Sequence, residues 1–156
     1  MKRAHQLQPL SRHHHLGLHI GRHAKECADT PQQITEHWQA LFSYISDMST
    51  HFQIENNLIA TGLRPYQDTV PEVAKALVTL KEHHLLLHKF ISKTQSSPNQ
   101  AITVIQVQEL GSHLYTHVRF EERELLPLVE TYLSKEELDA IYEASPASIK
   151  RLDETR

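Results

Sequence analysis

Cysteine is almost missing from this chain. The single thiol, Cys27, cannot close an internal disulfide, so nothing asks for an oxidising compartment and a cytoplasmic protein is expected. Glycine and proline are scarce too, at 4 and 7 of 156 residues. Turns and bulges consume both, so a strand-and-turn protein is excluded and helices are expected. No run approaches the roughly 20 apolar residues of a membrane span, and no apolar stretch follows Met1-Lys2-Arg3 to make a signal peptide. Basic residues do not gather on any segment: 16 Lys and Arg stand against 19 Asp and Glu, for a net charge of −3. That argues against a nucleic-acid partner. The length suits one domain spanning 1–156 with a single core.

What the chain has in excess is histidine, thirteen in all, and they recur in a pattern. Arg12-His13-His14-His15-Leu16-Gly17-Leu18-His19 is echoed by Lys81-Glu82-His83-His84-Leu85-Leu86-Leu87-His88. Likewise Thr50-His51-Phe52-Gln53-Ile54-Glu55 is echoed by Thr116-His117-Val118-Arg119-Phe120-Glu121, with histidine and glutamate four apart both times. The histidines are not a purification tag, since the longest run is three and lies inside a helical pattern.

Breakers divide the chain into four long helical segments. The first spans about 9–28, with Leu7, Leu10, His14, Leu18 and Gly21 on one face and Asp29-Thr30-Pro31 ending it. The second starts on Pro31, a good first helical residue, and is expected to stop near Ala60, with Gly62 as its C-terminal cap. It aligns Leu41, Ile45, Met48, Phe52, Glu55 and Ile59. The third covers 71–93 with Val73, Leu77, Leu80, His84, Leu87 and Ile91 on one stripe, and a loop follows at 96–99. The fourth covers 100–133, interrupted near Pro127, and carries His117, Phe120 and Glu121. Ser134-Lys135-Glu136-Glu137 reads as a capping box opening a short fifth helix to Ala144, and a polar tail, expected to be peripheral, follows from Pro146. Short connections between the long segments predict an all-α, antiparallel four-helix bundle over about 9–133, with a short C-terminal helix.

On a helix, residues four apart share a face, so His51 with Glu55 and His117 with Glu121 each present an imidazole and a carboxylate inward. His14 and His83, the positions matched by the repeat, add an imidazole from each remaining helix. Buried carboxylates are costly unless they meet a cation, and a metal resolves the conflict. Mixed imidazole and carboxylate donors suit iron, manganese or zinc, and the lack of clustered cysteines disfavours thiolate sites.

These segments resemble the hemerythrin and hemerythrin-like (HHE cation-binding) domains over about 10–133. The resemblance rests on Leu10-Ser11-Arg12-His13-His14-His15, His51-Phe52-Gln53-Ile54-Glu55, Leu80-Lys81-Glu82-His83, and His117-Val118-Arg119-Phe120-Glu121-Glu122-Arg123-Glu124-Leu125-Leu126-Pro127. It implies a non-haem centre of two iron ions, with zinc or manganese as alternatives, that meets O2, NO or peroxide. By position Glu55 and Glu121 would bridge, and His14, His51, His83 and His117 would be terminal ligands. The O2 carriers of the family also take two histidines four apart from the third helix, which His84 and His88 match better; the repeat and the acidic residue in Glu82-His83 favour His83, which is the preferred ligand here, with His84 and His88 as further candidate imidazoles. Those carriers place the fourth-helix carboxylate five residues after the histidine, at Glu122, whereas this chain has glutamate at 121 and at 122.

The remaining polar residues have blander readings. His5, His15, His19, His23, His37 and His113 read as surface histidines, Glu122 and Glu124 as part of a charged surface with Arg119 and Arg123, and Cys27 as inert. Trp38 and Tyr44 read as packing residues. The preferred function is a non-enzymatic di-iron protein that binds O2, NO or peroxide, or senses or holds iron. An enzyme would use the same centre to reduce NO or peroxide or to repair iron–sulfur clusters, with Tyr115 as candidate proton donor. A zinc-bound or metal-free bundle acting through partners is a third reading. A homodimer is compatible with each.

Overall fold

The computed structural model describes residues 2–96, 101–152 and 154, with side chains left undescribed at 94–96. The residues 97–99 of the expected loop lie outside this set. Among the described residues no strand occurs. After a 3-10 turn at His5–Leu7, α1 covers Gln8–Lys25. Helix α2, Pro31–Asp47, is interrupted at Met48 and continues as α3, Ser49–Ile54, which passes through a π-helical turn, Glu55–Ile59, into α4, Ala60–Leu63. Helix α5 covers Pro71–Ser96. Helix α6, Val104–Phe120, passes through a second π-helical turn, Glu121–Leu125, into α7, Leu126–Tyr132. Helix α8 covers Lys135–Ala144.

Local chemistry sets the starts. The Thr30 hydroxyl accepts from the Gln33 amide ahead of Pro31. Thr103 with Gln106, and Ser134 with Glu137, form reciprocal capping boxes, the second of them as the sequence suggests.

The bundle's antiparallel course can be followed through its two apolar clusters. Leu10 of α1 and Leu80 of α5 lie in one cluster, and Ala24 and Leu87, further along the same helices, lie in the other. In the opposite sense, Met48 and Leu114 start in the second cluster and Ile59 and Leu125 arrive in the first. Each chain segment therefore crosses from one apolar cluster to the other, and what lies between them on all four is polar: His14, His51 with Glu55, His84, and His117 with Glu121.

Helices α1 and α6 approach closely, through glycine. A Cβ on Gly21 would meet the Gly111 carbonyl oxygen at 2.9 Å, and one on Gly111 would meet the Ala24 Cβ at 2.6 Å and the Lys25 amide at 3.0 Å. Gly17 fills the same role beside Tyr44, whose ring carbon would lie 2.7 Å from an added Cβ.

Two expectations are corrected here. Gly62 is not a C-terminal cap: helix continues through it to Leu63 and a 3-10 turn at Arg64–Tyr66, and its lack of a side chain makes room for Leu133 and Glu137. Nor is the tail peripheral. Arg12 on α1 donates to the Ile149 carbonyl at 2.7 Å and pairs with Glu154, binding the C-terminal segment to the bundle.

Candidate metal centre

Helical spacing brings the polar layer together. His51 and Glu55 are one turn apart at the junction of α3 with its π-turn, and His117 and Glu121 are one turn apart at the matching junction of α6. Both π-turns begin on the glutamate, so each carboxylate is carried on a locally widened helix, a feature that recurs at functional sites. His14 comes from the middle of α1 and His84 from the middle of α5. His14, His51, Glu55, His117 and Glu121 are essentially sealed from solvent, and the His84 side chain is 12% exposed.

The two carboxylates divide their oxygens. Glu121 Oε2 faces His14 Nε2 at 2.5 Å and His51 Nε2 at 3.7 Å, and Glu55 Oε2 faces His51 Nε2 at 3.4 Å. Their other oxygens turn to the second pair: Glu55 Oε1 lies 3.0 Å from His84 Nε2 and 4.0 Å from His117 Nε2, and Glu121 Oε1 lies 2.8 Å from His117 Nε2. Two groups result, His14-His51-Glu55-Glu121 and Glu55-His84-His117-Glu121, each with all its donor atoms within 4.8 Å of one another.

These contacts fit a cation better than they fit each other. Glu55 Oε2, Glu121 Oε1 and His117 Nε2 are buried without a hydrogen-bond partner, although the last two lie only 2.8 Å apart. Their separation is short, but their mutual geometry is not that of a hydrogen bond. His14 Nε2 and His51 Nε2, the nitrogens on the carboxylate side, are 2.9 Å apart. Donors about 2.1 Å from one ion sit about 3 Å apart when at right angles, so this crowding is what a shared ion would produce.

The imidazoles' far nitrogens are held individually. His14 Nδ1 lies 2.7 Å from Glu122 Oε1, His84 Nδ1 lies 3.0 Å from Asn56 Oδ1, and His117 Nδ1 lies 3.1 Å from His83 Nδ1. His51 Nδ1 has no partner. Phe52 covers the layer from the side, its ring 4.6 Å from that of His84 and 5.9 Å from that of His117.

Charge responds to this crowding. Burial alone would depress the His14 imidazolium, but the adjacent Glu121 and Glu122 override it and hold it up to about 10. His51 is likewise raised against burial by Glu55 and Glu121. Glu121 would be raised by burial, yet His117 and His14 keep it well below the usual carboxylate range, and Glu122 is lowered against its burial by His14, Ser11 and Arg3. For His13 and His83, burial together with neighbouring imidazoles outweighs the pull of Asp47 and of Glu121 respectively and pushes both down to about 4.

Of the residues expected at the site, six converge: His14, His51, Glu55, His84, His117 and Glu121. His83 does not join the carboxylates. It stands behind His117, edge-on to Phe120. His84, on the same stripe as Leu80 and Leu87, takes the inward place. His88 is exposed one turn further on, beside Ser92 at 3.3 Å.

Other readings are corrected. Glu122 does not belong to a charged surface with Arg119 and Arg123; it turns to His14, and Asn56 plays the matching part for His84. In the sequence Glu122 stood out only as the alternative fourth-helix carboxylate, five residues after His117, and Asn56 carried no signal. His113 is half-buried and packs on Phe90 rather than lying in solvent. The Tyr115 ring lies under Lys25 Nζ at 4.5 Å and near Arg119, turned to surface cations rather than to the carboxylates. The Tyr44 hydroxyl donates to the His13 carbonyl at 3.0 Å.

No curated protein and no solved structure matches the chain. Its sequence does match the hemerythrin HHE cation-binding domain over residues 5–129 of 156, a span that takes in all six converging residues. Six imidazole and carboxylate donors gathered in one layer of a helical bundle agree with cation binding, and the chain belongs to the hemerythrin HHE cation-binding domain family.

Proposed function

We propose that this protein holds a pair of iron ions in its polar layer and uses them to bind a small ligand, O2, NO or peroxide, or to sense or store iron. The observation that carries the reading is the division of the carboxylate oxygens, Oε2 of both glutamates towards His14 and His51, Oε1 of both towards His84 and His117. One ion needs no such division. Two ions with shared carboxylates do. Each position would take two imidazole nitrogens and two carboxylate oxygens, fewer than the six donors of an octahedral ion, so an exogenous ligand has room. Iron, when bound, supplies those open positions together with a one-electron couple.

The chain's own residues bear on what enters. The layer is sealed apart from the His84 edge, and Phe52 covers part of that, so a diatomic or peroxide suits the space better than an organic substrate. The tyrosines give little support to reductive turnover, which needs protons delivered at the site: Tyr115 is turned to Lys25, and Tyr44's hydroxyl is committed to a carbonyl and its pKa raised by burial. A reducing cytoplasm would suit the buried free thiol of Cys27.

Aerobic purification followed by metal analysis and ultraviolet–visible spectra tests the reading. About two irons per chain, with charge-transfer bands that shift on adding azide, are expected. One zinc or no metal, with a featureless spectrum even after ferrous reconstitution, would overturn it in favour of a structural bundle. Multiple turnovers of NO or peroxide with an added reductant would move it to an enzyme.

A further inference from the structure

Glu122 makes no direct approach to the shared carboxylates, yet it is tied more firmly than any other polar group around them. Its Oε1 takes His14 Nδ1 at 2.7 Å. Its Oε2 accepts from the Ser11 hydroxyl at 3.0 Å and from Arg3 Nη2 at 3.1 Å, and the same Arg3 nitrogen donates to the Glu122 carbonyl at 2.9 Å. Arg3 is itself anchored from the far side by Glu130, which also receives the Ala4 amide at 3.1 Å. The chain of contacts therefore runs from the N-terminal segment, through two glutamates of the fourth helical segment, to the back of one inward-facing imidazole.

The other imidazoles lack anything equivalent. His84 has a neutral amide, His117 a neutral imidazole, and His51 Nδ1 no hydrogen-bond partner. An imidazole that offers Nε2 to a metal must keep its proton on Nδ1, and a carboxylate accepting that proton fixes both the tautomer and the ring plane and makes Nε2 a stronger donor. A neutral acceptor does this less well.

We propose that Glu122 is the positioning residue for His14, locked in place by Arg3 and Ser11, so that the N-terminal segment sets the affinity of the His14/His51 position and leaves the His84/His117 position unaffected. The two positions are then unequal by construction: one is backed by an anion and latched by the chain's beginning, and the other is backed by neutral groups and stands at the exposed edge. This inference rests on the two-ion reading for its consequence, but its core, the His14 to Glu122 bond, exists without metal.

Two measurements separate the inference from the reading beneath it. In metal-free protein, nitrogen-15-resolved proton spectra should show a downfield, slowly exchanging Nδ1–H of His14 in the wild type and in Glu122→Gln, whose amide oxygen accepts the same bond. The signal should vanish in Glu122→Ala. Its absence from the wild type overturns the inference whatever the protein binds.

Cobalt(II) chloride titrated into the metal-free chain, an air-stable probe, then reads the consequence. Two ions per wild-type chain are expected. In Glu122→Ala one of the two should weaken by about 10- to 100-fold, the usual effect of losing a ligand's outer partner, with the other unchanged. Glu122→Gln should recover most of that loss, and Arg3→Met should fall between wild type and Glu122→Ala. Unchanged affinities in Glu122→Ala, or equal weakening of both positions, would overturn the inference. A wild type that shows the His14 signal but binds no cobalt would instead remove the two-ion reading and, with it, the claimed effect on affinity.

Discussion

His84 and His83 are neighbours in sequence, and their replacements should separate them sharply. His84→Ala removes a nitrogen 3.0 Å from Glu55 Oε1, leaving one position with a single imidazole, so the metal retained after dialysis should drop from about two ions per chain to about one. His83→Ala removes only the group behind His117, so two ions should be retained with one held more weakly. Equal losses in the two variants would contradict this assignment. The pair also marks where reading residues from the sequence succeeds and where it stops. His51 with Glu55 and His117 with Glu121 could be read because both members of each pair are on one helix, where spacing fixes their relation. The choice between His83 and His84 depends on the rotation of α5 against three other helices. The repeat pointed to His83 and the apolar stripe of Leu80 and Leu87 pointed to His84, and packing follows the stripe because burying those leucines is worth about 1.5–3 kcal/mol each. The place of Glu122 behind His14 could not be read, since the two are 108 residues apart.

At the scale of elements, α1 and α6 meet in a close seam made by absence of side chains. Gly111→Ala would place a Cβ 2.6 Å from that of Ala24 and 3.0 Å from backbone atoms of Gly21 and Lys25, none of which is free to swing aside. The helices must separate, at a cost of about 1–3 kcal/mol, which thermal denaturation should record as a clear drop in midpoint. Gly62→Ala is the control. Its added Cβ would meet the end of the Glu137 side chain at 2.8 Å and Leu133 side-chain atoms at 3.1 and 3.2 Å, groups able to shift, so the loss should be smaller. If the order were reversed, the seam would not be the tight contact its geometry indicates. Because α1 carries His14 and α6 leads into Glu121, separation should also loosen the 2.5 Å contact between them, and Gly111→Ala should weaken metal binding as well as stability. The starts at Pro31 and at the Ser134 box were legible because they depend on local signals, whereas the Thr103 box and the run of helix through Gly62 were not. The π-turns were not. Nothing local in Glu55-Asn56-Asn57-Leu58-Ile59 distinguishes five-residue from four-residue bonding, and both turns begin where a carboxylate has to reach a layer shared with other helices.

For the whole molecule, the buried layer couples folding to protons and to metal in opposite directions. His14 keeps its proton in the folded, metal-free bundle up to about pH 10, whereas the unfolded chain releases it near 6.5; its contribution is complete below 6.5 and is lost as pH rises towards 10. His51, also raised, acts in the same sense. His13 and His83 act in the other. Held down to about 4 when folded, they leave the unfolded chain to take up protons first, so stability falls as pH drops from 6.5 towards 4. Glu121 and Glu122, both lowered, add a further loss below the ordinary carboxylate range. The metal-free protein should therefore be most stable near pH 6.5 and weaken on both sides, with an alkaline loss on the order of a few kcal/mol, because each tenfold change in proton affinity between the folded and unfolded chain is worth about 1.4 kcal/mol. A bound cation takes the place of the His14 proton, so it removes the alkaline limb and binds more strongly as protons become scarce. Melting temperatures measured from about pH 4 to 10, once with chelator and once with excess divalent metal, should give a dome in the first series and a widening gap between the series above pH 6.5. A metal-free curve that stays flat across the alkaline range would show that His14 does not carry its proton in the folded state, and a gap that narrows with pH would show that the added metal does not compete for that nitrogen.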